Sequence, residues 1–212
     1  MFGKIYGVVE NVMIKYLKTQ LQLSSNTDAE RPHVGAIGGY LHANAQVINT
    51  YVYNSTFNAD IFQLTCGGIV GVNFRGVVYC HTYYVTMNVS GRASGLVGEN
   101  GGLVSDCDVN YLTLTHYWYD NTFTGGAVGW NTTNRIVRGC ISSGTMTWDS
   151  PEEGSHIYPS MGKIIGRNSG TYSGCSSTIS KDISYYYWHF IPYYDQDKYC
   201  FKVDNELIGR QD

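Results

Sequence analysis

Charge is scarce in this chain and neither sign dominates. Its 212 residues hold 14 Lys and Arg against 17 Asp and Glu, a formal net charge of −3. With no basic stripe, neither nucleic acid nor anionic membrane is expected as a partner, since both are held by clustered cations. No run of 18 apolar residues occurs, so no membrane span is expected. The opening Met1-Phe2-Gly3-Lys4-Ile5-Tyr6-Gly7 lacks the basic segment and apolar run of a signal peptide. The expectation is a protein made without export, or a piece of a longer chain. There is no Cys-x-x-Cys among the six cysteines, which disfavours zinc, and no metal or cofactor is expected.

What is abundant is glycine, 25 against only 4 proline, together with 19 tyrosines and many Asn, Thr and Ser. That profile predicts an all-β chain with many turns. One phrase recurs: Gly95-Leu96-Val97-Gly98-Glu99-Asn100-Gly101-Gly102-Leu103-Val104-Ser105-Asp106-Cys107. Upstream stands Gly68-Ile69-Val70-Gly71-Val72-Asn73, ending at Cys80. Downstream, Gly126-Ala127-Val128-Gly129-Trp130-Asn131 reaches Cys140, and Lys163-Ile164-Ile165-Gly166-Arg167-Asn168 reaches Cys175. A degenerate copy begins at Gly35 and places Thr50 where the others have cysteine. The marker glycines Gly39, Gly71, Gly98, Gly129 and Gly166 are separated by 32, 27, 31 and 37 residues. Periods of this size indicate a solenoid, propeller or array.

The contents of the period decide among these. After each cysteine comes a short strand, Thr56-Phe57-Asn58, Thr86-Met87-Asn88, Thr113-Leu114-Thr115 or Thr145-Met146-Thr147. Alternation buries its middle residue and turns both polar ones outward. Val104 and Cys107 are both candidate core residues yet three apart, so a bend must separate them; another must separate Val109 from Leu112. Several short strands joined by corners within about 30 residues fit one turn of a β-helix better than a propeller blade. The predicted fold is all-β: a single-stranded, right-handed parallel β-helix of about five to six coils. Residues 1–181 form the repeat domain, and residues 182–212 an aromatic-rich C-terminal cap. Residues 3–17 read as the second half of a coil, with Asn11 at the cysteine position.

Stacking assigns the repeated residues to ladders. Asn73, Asn100, Asn131 and Asn168 are expected to hydrogen-bond from coil to coil at a corner, flanked by glycines that supply positive φ and close backbone approach. Cys80, Cys107, Cys140 and Cys175 are expected to stack in the core as reduced, small apolar side chains. Cys66 and Cys200 lie outside that column, and their state is left open.

The Gly-Leu-Val-Gly-Glu-Asn-Gly-Gly-Leu-Val-Ser-Asp-Cys string resembles the GLUG-motif repeat of bacterial surface and adhesin-like proteins, also present near the front of some immunoglobulin A peptidases. Four copies match well and one in part, across residues 35 to about 181. The resemblance implies a structural segment of a large surface or secreted chain, placed at the cell surface or outside the cell. It carries over no catalytic residue. If Met1 is the true start, an intracellular or virion scaffold is the alternative.

Three features are candidates for function. Asp106 and Asp108 flank Cys107 and are expected to face outward, with His81 one coil away. They are the alternative catalytic set for a carbohydrate-active β-helix, because acid/base cleavage of glycosides needs paired carboxylates. No second acid joins from neighbouring coils, since the positions matching Asp106 are Tyr79, Gly139 and Gly174, and a solvated surface is the preferred reading. The outward Thr-x-Asn/Thr strands resemble in pattern the threonine arrays of ice-binding solenoids. Coil lengths that vary by ten residues are expected to disturb a regular lattice, which favours ordinary strand surface. The tail holds Tyr185, Tyr187, Trp188, Tyr193 and Tyr194, which suit a cap over the last coil or a contact with protein or glycan. The function expected is a non-catalytic structural or adhesive segment. Its partners are a protein or larger assembly at the open ends, or a glycan.

Overall fold

The computed structural model describes residues 2–21, 32–59, 61, 64–117, 123–149, 160–183 and 208–211. The aromatic stretch from Tyr185 to Tyr194, Cys200 and most of the acidic loop that begins at Asp149 lie outside the described residues. Among those described there is strand and turn and no helix, so none is long and apolar enough to cross a membrane.

The strands form four sheets, and the chain visits them in rotation. The first sheet holds His33–Gly35, Thr65–Gly67, Arg92–Ser94, Phe123–Gly125 and Ser160–Gly162. The second runs from Phe2–Ile5 through Gly38–Leu41, Val70–Asn73, Val97–Asn100, Val128–Asn131 and Ile165–Asn168 to Ile208–Gln211. The third holds Val8–Glu10, Gln46–Ile48, Gly76–Val78, Leu103–Ser105, Ile136–Arg138 and Thr171–Ser173. In the fourth, Asp108–Tyr117 is continuous. Its early part pairs with His81–Tyr83 and its later part with Thr86–Ser90, and Ile141–Asp149 follows beside it. Pairing is parallel in every sheet. The chain is therefore all-β with parallel sheets, an arrangement consistent with a solenoid-like fold.

Register is what makes the ladders. Gly76 pairs with both Gln46 and Leu103, and Val77 with both Val47 and Val104, so like residues stand over like. Val47, Val77, Val104 and Val137 form one fully buried column; Phe57, Met87, Leu114 and Met146 form another. Burying one such side chain contributes about 1.5–3 kcal/mol.

Two expectations are corrected here. In the first circuit Val8, not Gly7, pairs at the level of Gln46, and Met13 pairs with Tyr51. Val12, half-buried against the core, therefore occupies the column of Thr50 and Cys80, and Asn11 lies at the preceding bend. The second correction concerns the marker glycines, none of which has positive φ. The bends before the cysteine column are instead Asn11, Asn49, Tyr79 and Asp106, with φ of 58°, 47°, 53° and 56°, followed by Gly139 and Gly174. The glycines are required by proximity alone. A Cβ on Gly71 would sit 2.6 Å from the Gly39 carbonyl oxygen and 2.7 Å from the Val34 amide nitrogen. One on Gly166 would sit 2.5 Å from the Thr124 nitrogen. Backbone of the first and second sheets approaches too closely for any side chain.

Candidate functional site

The asparagine column is continuous and buried. Asn73 Nδ2 donates to Asn100 Oδ1 at 2.7 Å, Asn100 Nδ2 to Asn131 Oδ1 at 2.9 Å, and Asn131 Nδ2 to Asn168 Oδ1 at 2.7 Å. Each amide also closes its own corner: Asn100 Oδ1 accepts from the Gly102 amide at 3.1 Å, and Nδ2 donates to the Gly102 carbonyl at 3.2 Å. Buried amides of this kind are costly unless satisfied. Here donor and acceptor are both spent internally.

The thiols stack beside that corner. Cys80, Cys107 and Cys140 are fully buried and reduced, and Cys175 is half-buried at the end of the column. Cys107 Sγ donates to the Ser105 carbonyl at 3.0 Å, and the Cys80 amide donates to Cys107 Sγ at 3.3 Å. Burial pushes the Cys107 thiol well above its usual range. Cys66 is buried in the first sheet, between Val34 and Ala93, and burial raises its thiol as well. Cys107 and Cys66, held neutral in this way, are poor nucleophiles and poor metal ligands, whereas hydrogen bonding with Cys107 lowers the Cys80 and Cys140 thiols. No cluster of three or more His, Cys, Asp or Glu suited to a metal occurs among the described residues.

Asp106 and Asp108 occupy different kinds of position. Asp106 is a left-handed bend residue, a conformation that Asp tolerates better than most. Its column continues to Tyr79 on one side and Gly139 on the other, through bonds from the Tyr79 amide to the Ser105 carbonyl and from the Asp106 amide to the Arg138 carbonyl. Asp108 begins a strand and pairs with His81 and Ile141. Its Oδ2 lies 3.0 Å from His81 Nδ1, with the two side chains 33% and 19% exposed. The columns thus bring a histidine to Asp108 and no second carboxylate to either acid. No family model, curated protein or solved structure matches the chain.

The outer surface of the fourth sheet holds a feature absent from the sequence reading. Tyr53 and Tyr83 stack with centroids 4.9 Å apart and planes 7° from parallel, Tyr84 and Tyr111 at 4.7 Å and 5°, and Tyr51 on His81 at 4.9 Å. Burial, followed by Tyr53, Asp108 and Tyr51, raises the Tyr83 phenol. Each stacked pair covers one face of each ring, and Tyr84 and Tyr111 remain exposed. The signal was available, as the second to fourth residues after the cysteine position run Val52-Tyr53-Asn54, Thr82-Tyr83-Tyr84 and Val109-Asn110-Tyr111. It was masked because tyrosine is common everywhere in this chain. Also unforeseen is an Arg92–Glu99 ion pair that joins the first and second sheets, with the guanidinium 4.4 Å from the Trp130 ring centroid.

Proposed function

We propose that the chain is a right-handed, single-stranded parallel β-helix of about five to six coils that works as a non-catalytic structural or adhesive segment, akin to the GLUG-motif repeats it resembles. The observation that carries this reading is the internal use of the repeated residues: the asparagines hold a corner and the thiols lie in the core. A scaffold of this kind offers rigidity along its axis and repeated side chains on its faces, which suits a surface or secreted protein contacting protein or glycan. The expected partner is a protein or larger assembly at the ends, with glycan on the outer faces, and the expected place is the cell surface. An intracellular or virion scaffold is the alternative location, and recovery of the protein with a filament or particle would favour it.

The carbohydrate-active reading has one observation in its favour, the His81–Asp108 pair, since a carboxylate can orient an imidazole for proton transfer. Incubation with a panel of acidic and neutral polysaccharides separates the two. The structural reading expects no new reducing ends and no unsaturated products. Turnover that disappears in Asp106→Ala or Asp108→Asn would establish an enzyme instead.

A further inference from the structure

The later strands of the fourth sheet carry two outward columns of short, uncharged polar side chains. Thr56, Thr86, Thr113 and Thr145 stand in one, paired strand to strand without interruption. Asn58, Asn88, Thr115 and Thr147 stand in the other, two residues further along the same strands. The residue between them is fully buried in all four strands, which pins both columns outward. One register shift occurs in this region, between Val109 and Leu112, and it lies before the array. The unequal repeat lengths do not reach the array either. They fall chiefly in the connections from the fourth sheet to the next strand of the first, which run from Ala59 to Thr65, from Ser90 to Arg92, from Tyr117 to Phe123 and from Asp149 to Ser160. The expectation that variable coils would break the lattice is therefore overturned by where the variation sits.

The array is a rectangular net. Neighbouring strands lie about 4.8 Å apart, and residues two apart on a strand about 6.6 Å. Threonine is stiff at χ1, and Asn88 Nδ2 donates to Asn58 Oδ1 at 2.8 Å, so the net is held before any ligand arrives. Among the described residues charge falls at its borders, with Lys18 at the level before Thr56, Asp182 at the level after Thr147, and Asp149 two residues beyond Thr147 on its strand. A two-dimensional net rewards a ligand that is periodic in both directions and already ordered; a flexible chain would match one direction and lose conformational entropy on doing so. Neutrality argues against a mineral of alternating ions. Crystalline polysaccharide is gripped by open aromatic faces, which the two columns lack; beside them Tyr84 and Tyr111 are stacked on one another, and Tyr117 alone stands exposed two residues beyond Thr115. What remains is a neutral lattice of hydrogen-bonding oxygens with repeats of this order.

We propose that this Thr/Asn face binds the surface of ice, its hydroxyls and methyls holding ordered water in register with the crystal. The inference rests on the rigid scaffold of the reading above, and not on its adhesion to glycan or protein. The test adds the whole chain to water just below freezing and follows single-crystal growth by cryomicroscopy, with retention on crystalline cellulose and chitin measured in parallel. The expected result is faceted crystals, with growth arrested over a measurable temperature gap. That gap should collapse in Thr113→Tyr, where a bulky ring stands off the centre of the net, and in Thr86→Lys. Arg138→Ala, on the exposed side of the third sheet, should leave it intact. Circular dichroism identifies which variants are folded, and the wild-type result is decisive alone. A wild-type chain that affects ice no more than serum albumin overturns the proposal, as does full activity in folded Thr113→Tyr. Binding to crystalline glycan without any effect on ice also overturns it, and leaves the rigid scaffold standing.

Discussion

Asn100 has both ends of its amide engaged at zero exposure, between Asn73 and Asn131 and against its own turn. Asn100→Ala would leave the Asn131 side-chain oxygen and the Gly102 amide without their partner. It should cost about 3 kcal/mol, read as a lower urea midpoint at unchanged slope. An unchanged midpoint in folded Asn100→Ala would contradict a ladder in which interior members carry two neighbours. His116 is the other buried polar residue with a measurable consequence. Its Nε2 lies 2.9 Å from the Gly91 carbonyl oxygen, and burial lowers its pKa from 6.5 to about 4. The sign follows from proton binding: between those two values the unfolded chain takes up a proton that the folded chain refuses. The histidine's contribution is complete above pH 6.5 and is lost as pH falls toward about 4, a change on the order of 3 kcal/mol. His116→Leu should remove this component, so the wild-type and variant urea midpoints should converge or cross between pH 7 and 4. A constant difference across that range would show that His116 does not titrate differently on folding.

At the scale of the element, two glycines of one repeat make opposite predictions. Gly71 faces the backbone of Gly39, Val34 and Thr65 at under 3 Å for any added Cβ, whereas the nearest atom to a Cβ on Gly76 is the Gln46 side chain at 3.5 Å. Gly71→Ala should destabilise by about 2 kcal/mol or more. Gly76→Ala should be neutral or stabilise by about 0.5 kcal/mol through the unfolded chain; thermal melts of the pair decide it. This contrast also marks how far the sequence could be read. Period, parallel stacking, the inward middle residue of Thr-x-Asn and the two bends around Cys107 follow from alternation, because an odd spacing between inward residues demands a corner. The corner residues themselves were not legible. Tyr79 and Tyr111 adopt φ of 53° and 57°, a conformation usually signalled by glycine or asparagine, and here it is imposed by the sheets on either side. The slip at Asn11 has a related cause: Gly7-Val8-Val9 imitates Gly76-Val77-Val78 in letters, while the register is set by which residue reaches the core. The ion pair of Arg92 with Glu99 was hidden because two sheets meet between them, a relation that no single-strand pattern encodes.

Across the whole molecule, stability should be graded along the stack. Among the described residues each interior strand pairs with a strand on either side, whereas a strand that ends its sheet's order is held on one side. Phe2–Ile5, Val8–Glu10, Met13–Lys15 and Lys18–Leu21 each end their sheet's pairing order, and their inward residues Val9, Val12, Ile14 and Leu17 are half-buried where Val77 and Cys80 are fully enclosed. At the far side the inward column of Phe57, Met87, Leu114 and Met146 passes to Lys181, whose Nζ donates to the Met161 carbonyl at 3.1 Å, and the thiol column ends at half-buried Cys175. Amide exchange should therefore be slowest over residues 64–117 and fastest over 2–21 and 171–183. The cysteines supply an independent readout of the same gradient. Under native conditions Cys175 should be alkylated well before Cys80, Cys107 and Cys140, because a thiol in an interior circuit reacts only after its neighbours open. Equal alkylation rates with uniform exchange would mean that the stack opens as one cooperative unit, and that the contacts across sheets, of which the Arg92–Glu99 pair is one, outweigh those between adjacent circuits.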